Sequence, residues 1–184
     1  MFDTIRKNAE LYGIECGICS ENNAMVEFDD SLKLNGELDD TKVLILKPDN
    51  FYTSSRIHNP PPSPDCLILV NCIGKNHFDL YLIELRDVKD TSNLKYNIIV
   101  EKFNTMIQYF FVNFSDIFSL INYGTIKFYL ISTYPKYSEN LSEAEYRKKI
   151  KTCHLDVYAS QKPLKLYNKA ILIEPCAALT IMPC

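Results

Sequence analysis

Two carboxylates and one guanidinium in this chain are spaced so that a simple hairpin brings them together. Asp65 opens an apolar run, and Glu84 closes the next one nineteen residues later, two positions before Arg86. Folding the segment about Gly74-Lys75 pairs residue 73 with 76 and, by the same count, residue 65 with 84. Directly opposed residues of an antiparallel hairpin share one face of the sheet, and the residue two positions further on shares it too. Two carboxylates and a cation on one face are suited to binding a divalent metal.

The elements that must position these residues alternate between strands and helices. Prolines 60, 61, 62 and 64 remove backbone donors and predict an extended, irregular segment directly before Asp65. The hairpin strands are apolar on both faces, which is typical of a sheet covered on both sides. The predicted elements are a helix over residues 2–11, strands over 41–46, 65–70 and 78–88, a helix over 94–109 that continues toward 118, and a strand over 125–131. We therefore predict an α/β fold, a single domain over residues 1–184 with a central mixed sheet flanked by helices.

Length, charge and hydropathy exclude several classes of protein. A chain of 184 residues is long enough for one domain with a full core. The formal net charge of −3 indicates neither a strongly basic nor a strongly acidic partner, although a local basic patch would still allow nucleic acid. No segment approaches the roughly 20 apolar residues that span a bilayer, and the first residues lack the apolar core of a signal peptide. We predict no membrane association and a cytoplasmic location.

The seven cysteines show no disulfide-framework spacing. Several lie in apolar runs, where a free cysteine behaves as a small hydrophobic residue, so we predict reduced thiols. Cys16 and Cys19 form a C-x-x-C pair, but a structural zinc needs two more ligands and the sequence holds no second such pair. His58, His77 and His154 are isolated, and we predict structural roles for them.

The order of these motifs resembles the PD-(D/E)xK nuclease superfamily, the fold of many restriction endonucleases. Pro64-Asp65 opens a strand, an apolar strand ends in Glu84-x-Arg86, and a helix and a further strand follow. The resemblance covers about residues 41–131 and implies a restriction-endonuclease-like core. It also implies that Asp65 and Glu84 bind Mg²⁺, or Mn²⁺ in its place. Arg86 takes the position where the family usually carries a lysine that contacts the attacking water or the scissile phosphate.

Arg86 departs from the family pattern. Arginine stays protonated in proteins and cannot act as a general base, although it can bind a phosphate or stabilise charge in the transition state. A second frame, Asp87-Val88-Lys89, restores a lysine, and folding about Asn76 would pair residue 65 with 87. Residues 87 and 89, however, point to the face opposite 84 and 86, and the apolar run ends directly at Glu84. We favour the Glu84 frame and keep Lys89 as the alternative to Arg86.

The resemblance implies a Mg²⁺-dependent endonuclease that hydrolyses phosphodiester bonds in double-stranded DNA, most simply a type II restriction endonuclease. A homodimer would place one site on each DNA strand. Such cleavage uses a metal to lower the pKa of a water and to neutralise the phosphate, and the backbone carbonyl of Leu85 is a further ligand candidate. The alternative is a catalytically degenerate member of the same fold that binds nucleic acid or protein.

Further residues are candidates for completing this site. In the superfamily an upstream acidic residue often joins the metal ligands, and the candidates here are Glu10, Glu15, Glu27 and Glu37. Basic side chains that would contact the DNA backbone, or else lie in solvated segments, are Arg56, Arg147, Lys148 and Lys149.

Overall fold

The structure, a computed structural model, describes residues 1–54, 59–87, 94–133, 142, 144–145 and 162–184. A six-stranded mixed sheet lies at its centre, with helices against one face and a smaller sheet against the other. The prediction of an α/β fold with a central mixed sheet is therefore confirmed. Within the described ranges, no helix combines the length and the apolar character needed to cross a membrane.

The N-terminal part supplies three short helices and six strands. Helices α1, α2 and α3 span Phe2–Lys7, Ala9–Tyr12 and Pro48–Ser54. Strands β1 to β6 span Glu15–Cys16, Ser20–Glu21, Ala24–Phe28, Lys33–Leu34, Glu37–Leu38 and Val43–Leu46, with a 3₁₀ turn at Asp30–Leu32.

The remaining described elements begin with the long hairpin. Strands β7 and β8 span Cys66–Cys72 and His77–Arg86. Helix α4, Tyr96–Thr105, runs into a π-helical turn at Met106–Phe110 and then into α5, Phe111–Asn113, and α6, Ser115–Phe118. Strand β9 spans Tyr123–Ser132, and β10 to β13 span Leu164–Leu166, Lys169–Ile171, Ile173–Cys176 and Leu179–Ile181.

The strand order of the main sheet is β1-β6-β7-β8-β9-β12. Neighbours from β1 to β8 are antiparallel, whereas β9 is parallel to β8 and β12 is parallel to β9. Two parallel neighbours require a crossover connection, and the helical segment from α4 to α6 lies within the connection from β8 to β9. This crossover brings α4 back across the sheet, where it packs near the end of β8.

Two apolar clusters cover the two faces of β7 and β8. On the first face, leucines of the hairpin pack against the helices; the cluster includes Leu67, Leu69, Leu80, Leu82, Phe51, Ile99, Phe103 and Phe110. On the second face, the hairpin packs against the three-stranded sheet β13-β3-β2; the cluster includes Cys66, Ile68, Val70, Ile83, Ala24, Val26 and Ile181. Burial on both sides explains why the hairpin strands are apolar throughout.

The hairpin has the register that the sequence predicts. Cys72 pairs with His77 at the closed end, and Cys66 pairs with Ile83 near the open end. The loop between the strands holds Gly74 at φ +83° and Asn76 at φ +52°. Gly74 tolerates this left-handed conformation without steric cost, which suits it to the turn.

Two helix boundaries differ from the predicted ones. The predicted helix over residues 2–11 is broken at Asn8, whose side chain accepts hydrogen bonds from the backbone N–H groups of Glu10 and Leu11 and so caps a second helix. Helix α3, which was not predicted, begins at Pro48 after the predicted strand, because a proline at the first helical position loses no intrahelical hydrogen bond.

The cysteines correct the prediction of reduced thiols. Disulfide bonds join Cys19 to Cys66, with 6.0 Å between their Cα atoms, and Cys72 to Cys184, with 5.2 Å. Both pairs are far apart in sequence, by 47 and 112 residues, so no local spacing reveals them. The Cys16–Cys19 motif is therefore not a unit, because Cys16 is a free thiol and Cys19 is bonded to the hairpin.

Candidate functional site

The central hairpin places Asp65 directly across from Glu84. The pairing of Cys66 with Ile83, continued by one residue, sets Asp65 just before β7 opposite Glu84 near the end of β8. Oδ2 of Asp65 accepts a hydrogen bond from the backbone N–H of Leu85 at 2.6 Å. Strand alternation puts both carboxylates on the sheet face that carries the helices. The register and this hydrogen bond place the Asp65 carboxylate beside β8 at the level of Glu84 and Leu85.

Glu84 is a fully buried carboxylate held between two cations. Its exposed fraction is 0%. Nη2 of Arg86 lies 2.6 Å from Oε1, and Nζ of Lys102 lies 2.9 Å from Oε1 and 3.0 Å from Oε2. Removing a charge from water costs several kcal/mol unless opposite charges and hydrogen bonds compensate it, so these cations allow β8 to carry an ionisable residue in its interior. The side chain of Arg86 lies on the same face of the sheet as that of Glu84, as predicted.

Lys102 was not among the residues predicted for the site. It lies on α4, where the neighbouring Phe103 stacks on Phe128 of β9 with 5.1 Å between ring centroids. This stacking fixes the helix over the sheet and holds Lys102 against Glu84. A signal was present in the sequence: Lys102 follows Ile99 by three positions, which places a lysine beside the buried stripe of the helix.

One oxygen of Glu84 lacks a hydrogen bond. Oε1 lies within ion-pair distance of Arg86 and Lys102, but no donor in the described part of the chain is aligned to form a hydrogen bond with it. Nε of Arg86 is also buried without an acceptor among the described groups. Buried polar atoms of native proteins are nearly always paired, and Oε1 is paired through its charge contacts with Arg86 and Lys102 rather than through an aligned hydrogen bond.

Two further carboxylates belong to the same electrostatic cluster. Glu21, on β2, is an exposed residue, and partial desolvation together with the negative charge of Asp65 raises its pKa, while Arg86 and Lys102 oppose the shift. Burial likewise raises the pKa of Asp49, on α3, against a hydrogen bond from the Ser63 hydroxyl and the positive charge of Lys102. Asp65 therefore has acidic neighbours from two elements on either side of the hairpin.

These neighbours differ from the predicted upstream acidic residues. Glu15 forms an ion pair with Arg6 at 2.7 Å, and Glu10, Glu27 and Glu37 are exposed on other elements. The structure brings Glu21 and Asp49 into the cluster instead, because the β2–β3 hairpin and α3 are the elements that border the open end of the long hairpin. Their sequence surroundings did not distinguish them from the other acidic residues of the first fifty positions.

The protonation of Glu84 is tuned by this environment. Burial raises its pKa to about 8, the charge of Asp65 adds to the rise, and Lys102 and Arg86 reduce it. Near neutral pH, protons and cations therefore compete for this carboxylate. A divalent ion would favour the ionised form by the same electrostatic attraction that Lys102 and Arg86 already provide.

The carboxylates of this cluster offer a divalent cation oxygen ligands only. Asp65, Glu84, Glu21 and Asp49 are four carboxylates, against the two cations Lys102 and Arg86. Mg²⁺ and Mn²⁺ prefer oxygen ligands of this type, but three or more of these donor atoms do not converge as a preformed site in the described part of the chain. The ammonium group of Lys102 would have to shift from Glu84 to admit the ion.

The alternative frame is not supported by the register, since residue 65 faces 84 and not 87. Asp87 accepts hydrogen bonds from Asn23 at 2.7 Å and from Thr133 at 2.8 Å. Lys89, the alternative lysine, lies outside the described residues. So do the predicted DNA-contacting residues, Arg56, Arg147, Lys148 and Lys149.

Comparison of the chain with protein-family models, with curated proteins and with solved structures found no match.

Proposed function

We propose that this chain is a Mg²⁺-dependent endonuclease that hydrolyses phosphodiester bonds in double-stranded DNA, in the manner of a type II restriction endonuclease. The observation that carries the proposal is the position of Asp65 opposite Glu84, with Lys102 and Arg86 around the second carboxylate. Mn²⁺ is expected to replace Mg²⁺, since both take oxygen ligands.

The order of elements supports a restriction-endonuclease-like core. Strands β6, β7 and β8 are consecutive and antiparallel, α4 follows, and β9 lies parallel to β8. The carboxylates lie at the open end of the β7–β8 hairpin, and α4 contributes a cation from above it. This is the strand, strand, strand, helix, strand order on which the sequence resemblance rests.

In this proposal each side chain has a distinct task. Asp65 and Glu84 hold the metal, with Glu21 and Asp49 nearby to complete or tune its ligands. The bound ion supplies a water of lowered pKa and neutralises negative charge on the phosphate. Arg86 and Lys102, displaced from Glu84, bind phosphate oxygens and stabilise the charge that develops during cleavage. Arg86 cannot remove a proton, so it acts only as a positive charge and hydrogen-bond donor.

The test is cleavage of long double-stranded DNA of varied sequence in Mg²⁺ by the wild type and by Asp65→Ala and Glu84→Ala. We expect both variants to lose at least about 100-fold in rate, as is common when electrostatic stabilisation at a reacting phosphate is removed. Glu174→Ala is the matched control, because this glutamate is exposed on β12 and lies 3.9 Å from Lys127. Equal cleavage by all four proteins would overturn the assignment of the site.

A second function is favoured by one feature of the same cluster. Arg86 and Lys102 together already neutralise Glu84, so the arrangement is stable in the absence of a metal. A catalytically degenerate protein that binds nucleic acid or protein would keep such a cluster for its structure alone. It would retain DNA in a gel-shift experiment in EDTA and show no cleavage when Mg²⁺ or Mn²⁺ is added. Metal-dependent turnover by the wild type excludes this second function.

The oligomeric state bears on the endonuclease proposal. A homodimer would carry two sites and cut both strands in one encounter. Sedimentation of the protein with and without DNA, combined with the ratio of nicked to linear plasmid, tests this expectation. A monomer that only nicks would restrict the proposal to single-strand cleavage.

A further inference from the structure

Four side chains with metal-ligating atoms meet at the closed end of the long hairpin. One donor atom each from Cys72, His77, Asp79 and Cys184 lies within 4.8 Å of all the others. Cys72 is the direct cross-strand partner of His77, and Asp79 lies two residues further along β8, so these three share a face of the sheet. Cys184 follows β13 and reaches the same point, where it is bonded to Cys72.

The histidine is oriented with one ring nitrogen toward the cluster. Nδ1 of His77 lies 3.2 Å from the backbone carbonyl oxygen of Lys75. A carbonyl can only accept, so Nδ1 carries the proton in this contact and Nε2 is left with its lone pair when the ring is neutral. Nε2 lies 3.9 Å from Oδ1 of Asp79. Metal-binding histidines are typically held in this way, by a carbonyl on the nitrogen that does not bind the metal.

The carboxylate is held in place by a backbone contact. Asp79 is only 7% exposed, which is unusual for an aspartate in a strand. Its Oδ1 accepts a hydrogen bond from the backbone N–H of Thr125 at 2.7 Å. Carboxylates that bind metal ions are typically held by a hydrogen bond from a neighbouring group in this way.

The neighbouring strand makes room for these two side chains. A Cβ atom built on Gly124 would lie 2.3 Å from Cδ2 and 2.4 Å from Nε2 of His77, and 2.9 Å from Oδ1 of Asp79. Real Cβ atoms essentially never approach other atoms so closely. The absence of a side chain at this position of β9 is therefore required for the histidine and the aspartate to lie where they do.

We propose that the reduced chain binds one Zn²⁺ ion through Cys72, His77, Asp79 and Cys184, and that the Cys72–Cys184 disulfide is the oxidised, metal-free form. Two sulfurs, one imidazole nitrogen and one carboxylate oxygen are donors of the types that zinc binds, and four protein ligands are the number found in structural zinc sites. Mg²⁺ and Ca²⁺ prefer oxygen ligands and are poorly matched to it. The zinc site and the Asp65–Glu84 site lie at opposite ends of β8, about 20 Å apart by the rise of a strand.

Conversion of the disulfide form into the zinc-bound form requires a reductant that supplies two electrons. A phosphine supplies two electrons and becomes a phosphine oxide, taking its oxygen from one water whose two protons go to the sulfurs. A dithiol supplies two electrons and its own two protons and becomes a disulfide. The Cys72–Cys184 bond breaks, and the two sulfurs take up two protons to become thiols. Zinc then binds the thiolates, and the two thiol protons are released to solvent. The same hairpin end is thus joined to the segment after β13 either by a covalent bond or by a metal.

The experiment is a titration of the full chain with Zn²⁺ after reduction with a phosphine, under anaerobic conditions and against a competing zinc indicator. Cobalt is titrated in parallel, because Co²⁺ bound by two thiolates in a tetrahedral site gives characteristic visible absorption. We expect one equivalent bound to the reduced wild type and none to the oxidised protein. His77→Ala and Cys184→Ser should weaken binding at least about 10-fold to 100-fold, the range seen when even supporting residues of a metal site are lost.

Cys16→Ser is the matched control, because Cys16 is a free thiol that does not belong to the cluster. It should bind zinc as the wild type does. Cys184 is exposed, so its replacement by serine leaves the buried Cys72 and the core in place, and circular dichroism verifies the fold. The proposal is overturned if the reduced wild type binds no zinc. It is also overturned if Cys184→Ser binds as tightly as the wild type, since the metal would then be held by other thiols.

Discussion

The ammonium group of Lys102 lies 2.9 Å and 3.0 Å from the two carboxylate oxygens of Glu84, a side chain without solvent exposure. Helix α4 and strand β8, which follow one another in the chain, are thus joined by an ion pair inside the protein. The contact gives Glu84 a cation that a divalent metal would have to displace, and gives Lys102 a position from which it can contact a phosphate.

The first prediction concerns Lys102. Replacing Lys102 by Met removes a cation from the proposed site while keeping a side chain of similar length. We expect metal-dependent DNA cleavage to fall by about 100-fold or more, because charge stabilisation at the phosphate is lost. Lys95→Met is the control, since Lys95 is exposed at the start of the same helix. Cleavage by Lys102→Met at the wild-type rate would show that Lys102 acts only in the structure.

The second prediction concerns the stability of the metal-free protein. The pKa of Glu84 is raised from 4.5 to about 8, so the folded state keeps a proton that the unfolded chain releases between these values. The contribution of Glu84 to the free energy of unfolding should therefore be greatest below about pH 4.5 and should fall as pH rises toward 8. Each pH unit in this interval contributes up to about 1.4 kcal/mol for one proton.

Urea denaturation in EDTA at pH 5, 6.5 and 8 measures this slope. Glu84→Gln should reduce the fall in unfolding free energy, while Glu174→Gln should leave it as in the wild type. Glu21 and Asp49, whose pKa values are also raised, will preserve part of the slope in both variants. An unchanged slope in Glu84→Gln would mean that the carboxylate is not titrating in this interval.

The third prediction concerns Gly124. Gly124→Ala would force a Cβ atom against the His77 ring and Asp79, and we expect it to lower the free energy of unfolding by about 1–3 kcal/mol. Gly17→Ala is the control, because a Cβ atom at that position meets nothing within 4 Å. Denaturant unfolding of both variants compares them directly. If Gly124→Ala is as stable as Gly17→Ala, the close packing of His77 and Asp79 against β9 is not a constraint on the fold.

The fourth prediction concerns the disulfide beside the carboxylate pair. Cys19→Ser breaks the bond to Cys66, the residue that follows Asp65, and opens a loop whose ends are 47 residues apart. We expect a loss of about 2–4 kcal/mol in the free energy of unfolding, because the unfolded chain regains the entropy of the open loop. Cys16→Ser should change the stability little. Equal stabilities for the two variants under oxidising conditions would contradict a contribution of this bond.

The register of the hairpin was predictable from the sequence. The strands are apolar on both faces, so alternation of apolar and polar residues does not choose a register, and the turn at Gly74-Lys75 set the predicted pairing. Asp65, Glu84 and Arg86 therefore fall on one face for local reasons. The mixed sheet follows from the same logic, since a helix between two apolar strands predicts a parallel crossover.

Contacts between distant segments were decided by the tertiary structure alone. Lys102 reaches Glu84 because the crossover lays α4 over the end of β8, and Glu21 and Asp49 join them because β2 and α3 border the same end. The disulfides and the Cys184 ligand likewise depend on how far-separated strands meet. Local pattern determines which face a side chain takes within a hairpin. The packing of the whole core decides which other chain segments contact that face. These contacts cannot be predicted from residue spacing.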